Sequence, residues 1–226
     1  TFTPKKSEGS VDVIFTFDAS VVAPKTVVAF ETLTYKKIRI AVHADIEDKD
    51  QMVYIPTIRT SAKDNVTGIN HTEADKEVTI TDTVTYKGLE VGREYTVSGT
   101  LMNQRTGAKI LVNGKPVTAS TTFTAEKKEG SVEVVFAFDA SALEGTTTVV
   151  YEKLYTENKE VAAHTDINDK GQTIYIPKVR TTAIADDTKD HVTEAKKDVT
   201  IVDTVSYEGL EVGREYTVKG VLMNKA

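Results

Sequence analysis

The chain has 226 residues, a formal net charge of -6 and no cysteine. An acidic chain is not expected to bind nucleic acid or an anionic membrane surface through bulk charge. Without cysteine it forms neither disulfides nor zinc-thiolate sites, and we expect no metal and no other cofactor. Abundant threonine and valine, in short segments separated by Gly and Pro, predict an all-β fold.

An internal repeat determines the predicted organisation. Residues 1–105 align with residues 122–226 at an offset of 121 without a gap, and more than half of the positions are identical. Solenoid repeats are shorter, so this period indicates tandem whole domains. Strand-like segments that end at Pro56 and Pro177 predict three pieces. Residues 57–177 are a complete module, residues 1–56 the C-terminal part of another, and residues 178–226 the N-terminal part of a further one.

The two end pieces are expected to complement one another. Neither carries a full core, and together they lack only the counterpart of residues 106–121, which is predicted to be a loop. Pairing within one chain is hindered by the complete module between them. We therefore expect residues 178–226 of one copy to pair head-to-tail with residues 1–56 of a neighbouring copy. The alternative is that both ends are disordered.

One carboxylate in each repeat shares the apolar face of a predicted strand. Asp82 lies in phase with the apolar positions of segment 78–86, and Asp203 does so in segment 199–207. Side chains alternate between the two faces of a strand, so both carboxylates are predicted to point into the core. Burial without a partner is costly and raises the pKa of a carboxyl group.

The same test places other polar side chains inside. Thr60 and Thr181 share a face with apolar neighbours near the start of a module, and Gln172 and Gln51 do so near its end. Each of these alone is compatible with an ordinary hydrogen-bonded core residue.

Several segments resemble a known family. Val28-Ala29-Phe30-Glu31 resembles the signature of the VaFE-repeat surface-anchored proteins of Gram-positive bacteria, and Val149-Val150-Tyr151-Glu152 is a looser copy. Arg59-Thr60 and Arg180-Thr181-Thr182 resemble the Arg-Thr-Thr strand of the family's ester-bond domains. The chain departs from this pattern at Ser61.

The family's second motif combines histidine, aspartate and glutamine. His164, Asp169 and Gln172 resemble it, as do their counterparts in the first piece. The resemblance implies tandem Ig-like (CnaB-like) β-sandwich modules in which a Thr hydroxyl attacks a Gln carboxamide. Here it implies a Thr60–Gln172 cross-link with Asp82, Glu152, His164 and Asp169 as assisting residues. The split module would use Thr181, Gln51, Asp203, Glu31, His43 and Asp48.

These residue types suit that reaction. A hydroxyl is a poor nucleophile and an amide a poor electrophile, so a base and an acid are both needed. His164 is the candidate for proton transfer, with Asp169 orienting it. Asp82 and Glu152, kept neutral by burial, are the candidates that stabilise the oxyanion.

The resemblance also implies a function. The chain is expected to be part of the stalk of an extracellular, cell-wall-anchored adhesin, whose signal peptide, anchor and host-binding tip lie outside these 226 residues. Its partners would be adjacent stalk modules. Each module would react once with itself, so the chain is not expected to be an enzyme.

Two other readings of the sequence remain open. One is a β-sandwich module with a Lys–Asn or Lys–Asp isopeptide bond. The other is a metal-binding or carbohydrate-binding module that uses His164, Asp166, Asn168 and Asp169. A hydrolase is disfavoured, since neither Gly-x-Ser-x-Gly nor His-Glu-x-x-His occurs.

Overall fold

The computed structural model describes residues 1–225, and nearly all of their regular structure is β-strand. The predicted all-β fold is confirmed. The helical exceptions in these residues are 3-10 turns at Ala19–Val21, Lys49–Gln51 and Lys170–Gln172.

The strands fall into the three predicted pieces. Residues 1–56 contain β1 (Thr26–Val28), β2 (Glu31–Tyr35), β3 (Ile38–His43) and β4 (Met52–Tyr54). Residues 57–177 contain β5 (Thr57–Asp64), β6 (Val78–Lys87), β7 (Glu94–Asn103), β8 (Leu111–Val112), β9 (Lys115–Pro116), β10 (Thr118–Thr124), β11 (Glu129–Phe138), β12 (Thr146–Thr156), β13 (Lys159–His164) and β14 (Thr173–Ile176). The last piece contains β15 (Lys178–Ala185) and β16 (Ile201–Glu208).

The middle module is a sandwich of two antiparallel sheets. One sheet has the order β10-β7-β12-β13, with β14 also paired to β12, and the other has the order β11-β6-β5. Alternate residues of both sheets face each other and form one core, which includes Ile80, Val97, Leu101 and Phe136. The first strand, β5, and the last strand, β14, therefore belong to opposite sheets.

The segment predicted as a loop, residues 106–121, has structure of its own. A small hairpin of β8 and β9 turns at Asn113 and Gly114, which both have positive φ, and β10 begins at Thr118. An Asn-Gly pair suits a tight hairpin turn because both residues tolerate that conformation.

The end pieces lack one side of the sandwich. Strands β1 and β4 pair, β2 and β3 form a hairpin, and β15 and β16 form another. Val13 is 58% exposed, whereas its repeat counterpart Val134 is 0% exposed in the middle module. The same apolar pattern is thus buried where the sandwich is complete and exposed where its partner strands are missing.

We expect the core of the middle module to respond to truncation at a buried site. Leu101 is fully buried, while Leu111 is 55% exposed. Leu101→Ala removes buried surface and leaves a cavity, so it should lower the free energy of unfolding by about 2–5 kcal/mol. The matched change Leu111→Ala should cost less than about 1 kcal/mol. Urea denaturation of both variants tests this, and equal losses would contradict the described core.

Candidate functional site

Four polar side chains meet inside the middle module. Asp82, Glu152 and Gln172 are fully buried, and the hydroxyl oxygen of Thr60 is buried as well. Thr60 lies on β5 and Asp82 on β6 of one sheet. Glu152 lies on β12 of the opposite sheet, and Gln172 closes the 3-10 turn before β14. The site thus joins the two sheets at the beginning and the end of the module.

Strand register places the first pair side by side. Thr60 is opposite Val84, and Ala62 is opposite Asp82, across the antiparallel pair of β5 and β6. Thr60 and Asp82 are therefore diagonal neighbours on the core face. Burial raises the pKa of Asp82, and the nearby Thr60 hydroxyl opposes that rise, although their oxygen atoms do not form a hydrogen bond of ordinary geometry.

The opposite sheet and the last turn place the remaining groups. Glu152 is opposite His164 in the pairing of β12 with β13. Asp169 caps the 3-10 turn, because its Oδ1 accepts a hydrogen bond from the Gly171 backbone nitrogen at 2.7 Å. The Gln172 Nε2 donates a long hydrogen bond of 3.5 Å to the His164 carbonyl oxygen. The carboxamide is thus held against β13.

A glycine that the sequence reasoning missed makes room for Glu152. Gly99 lies opposite Glu152 on β7, and a Cβ atom at this position would overlap the Glu152 carboxyl group and the Phe136 ring. A glycine inside a strand often marks such a close approach. The glycine recurs at Gly220, so the repeat carried this signal.

The site concentrates buried polar atoms that have no hydrogen-bond partner among residues 1–225. They are Thr60 Oγ1, both carboxyl oxygens of Asp82, both of Glu152, His164 Nδ1 and Gln172 Oε1. Buried polar atoms are normally paired, and each unpaired one costs about 1–3 kcal/mol. Such a cluster in one place requires a functional explanation.

The two carboxyl groups are suited to holding a proton between them. Burial raises the pKa of Glu152 to about 9, and the neighbouring charge of Asp82 acts in the same direction. Burial also raises the pKa of Asp82, to about 6, against the opposing effect of the nearby Glu152 carboxyl group. Glu152 therefore keeps its proton at neutral pH and can donate it in a hydrogen bond to Asp82.

His164 is oriented by Asp169. The His164 Nε2 lies 3.0 Å from Asp169 Oδ2. A carboxylate at this distance favours the tautomer with the proton on Nε2. The buried Nδ1, which has no partner among the described residues, is then free to accept a proton.

The first piece holds a matching half of this site. Glu31, His43, Asp48 and Gln51 come together, with Gln51 Nε2 donating to Glu31 Oε2 at 2.9 Å and His43 Nε2 lying 3.0 Å from Asp48 Oδ2. The Gln51 Oε1 is buried without a partner in the described chain. A glutamate at this position can therefore reach the glutamine carboxamide directly.

The last piece holds the other half. Thr181 is opposite Val205, and Ala183 is opposite Asp203, which is the register of Thr60 and Asp82 in the middle module. Both Thr181 and Asp203 are exposed. The structure does not bring them to Gln51.

Neither a metal centre nor a membrane span is found in the described chain. Across residues 1–225, no three His, Asp or Glu side chains are grouped so that they could hold a metal ion. Over the same residues, no helix combines the length and apolar character needed to cross a membrane.

The raised carboxyl pKa values predict how stability depends on pH. In a Thr60→Val variant, which keeps the shape of the side chain but not the hydroxyl, the folded state binds protons on Glu152 and Asp82 more tightly than the unfolded state does. The free energy of unfolding should therefore be highest below the ordinary carboxyl pKa and should fall as the pH rises towards about 9. The slope for one proton cannot exceed about 1.4 kcal/mol per pH unit.

Urea titrations of Thr60→Val at several pH values measure this slope. Adding Glu152→Gln should remove most of it, because the amide keeps the size of the side chain but does not titrate. Stability that rises between pH 5 and 9, roughly the window set by the two pKa shifts, would contradict the assignment.

Comparisons with known proteins identify the family. The sequence profile described as T-Q ester bond containing domain matches residues 1–55, 56–176 and 177–226. No curated protein sequence matches the chain.

Some solved structures are similar in part. A bacterial adhesin from Mobiluncus mulieris, described as containing intramolecular disulfide, isopeptide and ester bond cross-links, is 16% identical over 68% of this chain and 74% of that chain, with a TM-score of 0.45. A second crystal form of it is 17% identical over the same shares, again with a TM-score of 0.45. A putative beta-galactosidase from Bacteroides fragilis is 12% identical over 57% of this chain and 19% of that chain, with a TM-score of 0.39. The assignment rests on the profile, whose three matches cover the whole sequence: the chain belongs to the T-Q ester bond containing domain family.

Proposed function

We propose that residues 57–177 form a stalk module of a bacterial surface adhesin that reinforces itself with an ester between Thr60 and Gln172. The observation that supports this most strongly is the cluster of buried polar atoms without partners. Ester formation consumes the Thr60 hydroxyl and replaces the Gln172 carboxamide nitrogen. It therefore accounts for two of the groups whose burial is otherwise unexplained.

The reaction is an acyl transfer that balances without a further reactant. The Thr60 Oγ1 attacks the Gln172 Cδ and forms a tetrahedral intermediate. The Cδ–Nε2 bond then breaks, and the hydroxyl proton leaves with the nitrogen as ammonia. The product is an ester that joins β5 to the turn before β14.

The two carboxyl groups take different roles in this proposal. The neutral Glu152 donates a hydrogen bond to the developing oxyanion on the former Gln172 oxygen. In the first piece the Gln51 Nε2 donates to Glu31 Oε2, which supports the reach of this glutamate to the carboxamide group. Asp82, whose pKa is raised less, lies diagonally beside Thr60 and fixes the position of its hydroxyl, whose single proton goes to His164.

His164 carries the proton. Its Nδ1 is buried and free to accept the proton from Thr60, while Asp169 holds the other ring nitrogen. The imidazolium then gives the proton to the leaving nitrogen. Asp169 is thus a positioning residue. Each module reacts once with itself, so the proposal involves no turnover and no external substrate.

The isopeptide alternative finds less support in the buried residues. It requires a lysine amine in the core beside an Asn or Asp. Across residues 1–225, no lysine is buried, whereas a threonine hydroxyl and a glutamine carboxamide are.

The stalk role is supported by the tandem arrangement. Three family matches follow one another without a gap. The adhesin from Mobiluncus mulieris that was matched above is described as containing ester bond cross-links. We infer that this chain also lies outside the cell, in a cell-wall-anchored protein whose neighbouring modules are its immediate partners.

The end pieces are proposed to complete each other between copies. In the middle module, β11 pairs edge to edge with β6 and places Val134 opposite Asp82. The repeat counterparts are Val13 in the first piece and Asp203 in the last, and both are exposed. In a solution of this chain, a second copy supplies the strands that each end piece lacks. Thr181 of one copy then meets Gln51 of the next, and an ester there links the copies covalently.

Mass measurement tests the internal bond. The intact protein should be lighter than its sequence by one ammonia for each ester, and peptide mapping should recover Thr60 joined to Gln172. Thr60→Ala and Gln172→Ala should each restore the mass of one ammonia. The neighbouring change Ser61→Ala should not, since Ser61 lies on the other face of β5. A joined pair that resists hydroxylamine would exclude an ester, and an unlinked Thr60 would refute the proposal.

Denaturing gels test the bond between copies. The parent chain should give a ladder of covalent multimers that hydroxylamine collapses to monomer. Thr181→Ala should abolish the ladder, while Thr182→Ala, one residue further along β15, should keep it. Thr60→Ala should also keep it, because the internal bond is separate. A single monomer band from the parent, with a monomer mass in light scattering, would contradict head-to-tail complementation.

A further inference from the structure

Both junctions between consecutive pieces bring a glycine against the backbone of the preceding module. Gly88 has a φ of 76°, and a Cβ there would lie 2.6 Å from the Pro24 carbonyl oxygen and 3.2 Å from that of Ile55. Gly209 has a φ of 71°, and a Cβ there would lie 3.0 Å from the Gly145 carbonyl carbon and 3.1 Å from the Ile176 oxygen. Neither position accepts a side chain while the modules are in contact.

The two junctions are equivalent. Gly88 and Gly209 are related by the repeat offset of 121 residues, and so are Ile55 and Ile176. The same close approach therefore occurs twice, between different pairs of segments. The connections are also short, since β4 ends at Tyr54 and β5 begins at Thr57, while β14 ends at Ile176 and β15 begins at Lys178.

At the second junction, between the middle module and residues 178–226, a histidine of the middle module contacts the next piece. His71 is only 9% exposed, and its ring stacks on Tyr175 with a centroid separation of 4.9 Å. Its Nε2 lies 2.8 Å from the hydroxyl oxygen of Tyr216. Its Nδ1 lies 3.0 Å from the Asn70 side-chain oxygen.

The hydrogen bonds of this contact fit one neutral tautomer of His71. The Asn70 Oδ1 can only accept, so the His71 Nδ1 carries the proton and donates. The Tyr216 hydroxyl then donates to Nε2, and its oxygen accepts from the Glu211 backbone nitrogen at 2.9 Å. Arg214 Nη1 closes the network, because it lies 3.0 Å from Asn70 Oδ1 and 3.0 Å from Glu211 Oε2.

An ion pair holds a second point of the same junction. Arg180 at the start of β15 donates to both carboxylate oxygens of Glu144, at 3.0 and 2.7 Å. A bidentate pair constrains orientation as well as distance. Together with His71 and Gly209, it provides three separated contacts between the two segments.

We infer that consecutive modules of this chain dock at a fixed angle. The turn at residues 209–216 of the following module binds a preformed surface of the preceding module. Three separated contacts across a junction with almost no linker restrict both bending and twisting. The stalk is then a stiff rod instead of a string of freely jointed domains. This inference rests on residues outside the ester site and holds whether or not the ester forms.

Distance measurement between two spin labels tests the docking. The chain has no cysteine, so Lys127→Cys and Ser206→Cys introduce two labelling sites, both exposed, on the middle module and on β16. Labelled chains are diluted with unlabelled protein so that only distances within one chain are read by pulsed electron resonance. We expect one narrow distance distribution. A broad distribution in the parent chain would overturn the inference.

Two glycine variants separate docking from backbone strain. Gly209→Ala introduces a Cβ against Gly145 and should broaden the distribution. Gly213→Ala is the matched control, because Gly213 has a φ of 86° but nothing within 4 Å of its Cβ position. It should leave the distribution narrow. Equal behaviour of the two variants would overturn the inference.

A variant in the middle module distinguishes loss of docking from unfolding of the β15–β16 hairpin. His71→Ala removes the receiving side chain without changing the hairpin, and it should broaden the distribution. His191→Ala, at an exposed histidine of the last piece, should not. Thermal unfolding of each variant checks that the middle module stays folded. A narrow distribution in a folded His71→Ala protein would overturn the role of the histidine.

Discussion

The chemistry proposed for the middle module depends on polar groups that are buried without partners between its two sheets. Asp82 and Glu152 come from opposite sheets and meet in a core that is otherwise apolar. A sandwich core lowers the local dielectric, which makes each unpaired group costly and each correct contact strong. In the proposed function, a proton held between the two carboxyl groups and an ester between Thr60 and Gln172 together relieve that cost, so the proposed chemistry and the fold require each other.

The three pieces show how far sequence determines this arrangement. Strand periodicity correctly predicted that Asp82 and Gln172 are buried, because it depends only on spacing along the chain. The opposition of Glu152 to Gly99, and the docking of Tyr216 on His71, join residues across sheets and across modules. The repeat of Gly99 at Gly220 marks the glycine but not the residue that it opposes, and contacts of this kind depend on how the strands pack in space.

The exposed ends follow from the same dependence. Thr181 and Asp203 have the register of the middle module but not its burial, since the opposite sheet is missing beside them. A hairpin alone cannot exclude water from a hydroxyl. Under the proposed reaction, half a module is therefore unreactive, and bond formation depends on closure of both halves.

The position of the link explains why a stalk would use it. Strand β5 pairs only with β6, and β14 pairs with β12 on the other sheet, so the two pulled ends of an unlinked module are held by separate hydrogen-bond ladders. Closing a loop of this size removes denatured-state entropy worth about 4–5 kcal/mol, by analogy with disulfides. In the proposed linked module, force that enters at Thr57 passes through Thr60 and Gln172 and bypasses the residues between them. Strand β14 also hydrogen-bonds to the segment that contains His71, because the Tyr175 backbone nitrogen donates to the Asn70 carbonyl oxygen. The exit point of the force therefore lies beside the surface that contacts the next module, so the proposed rigid junction and the proposed covalent link act in series along one load path.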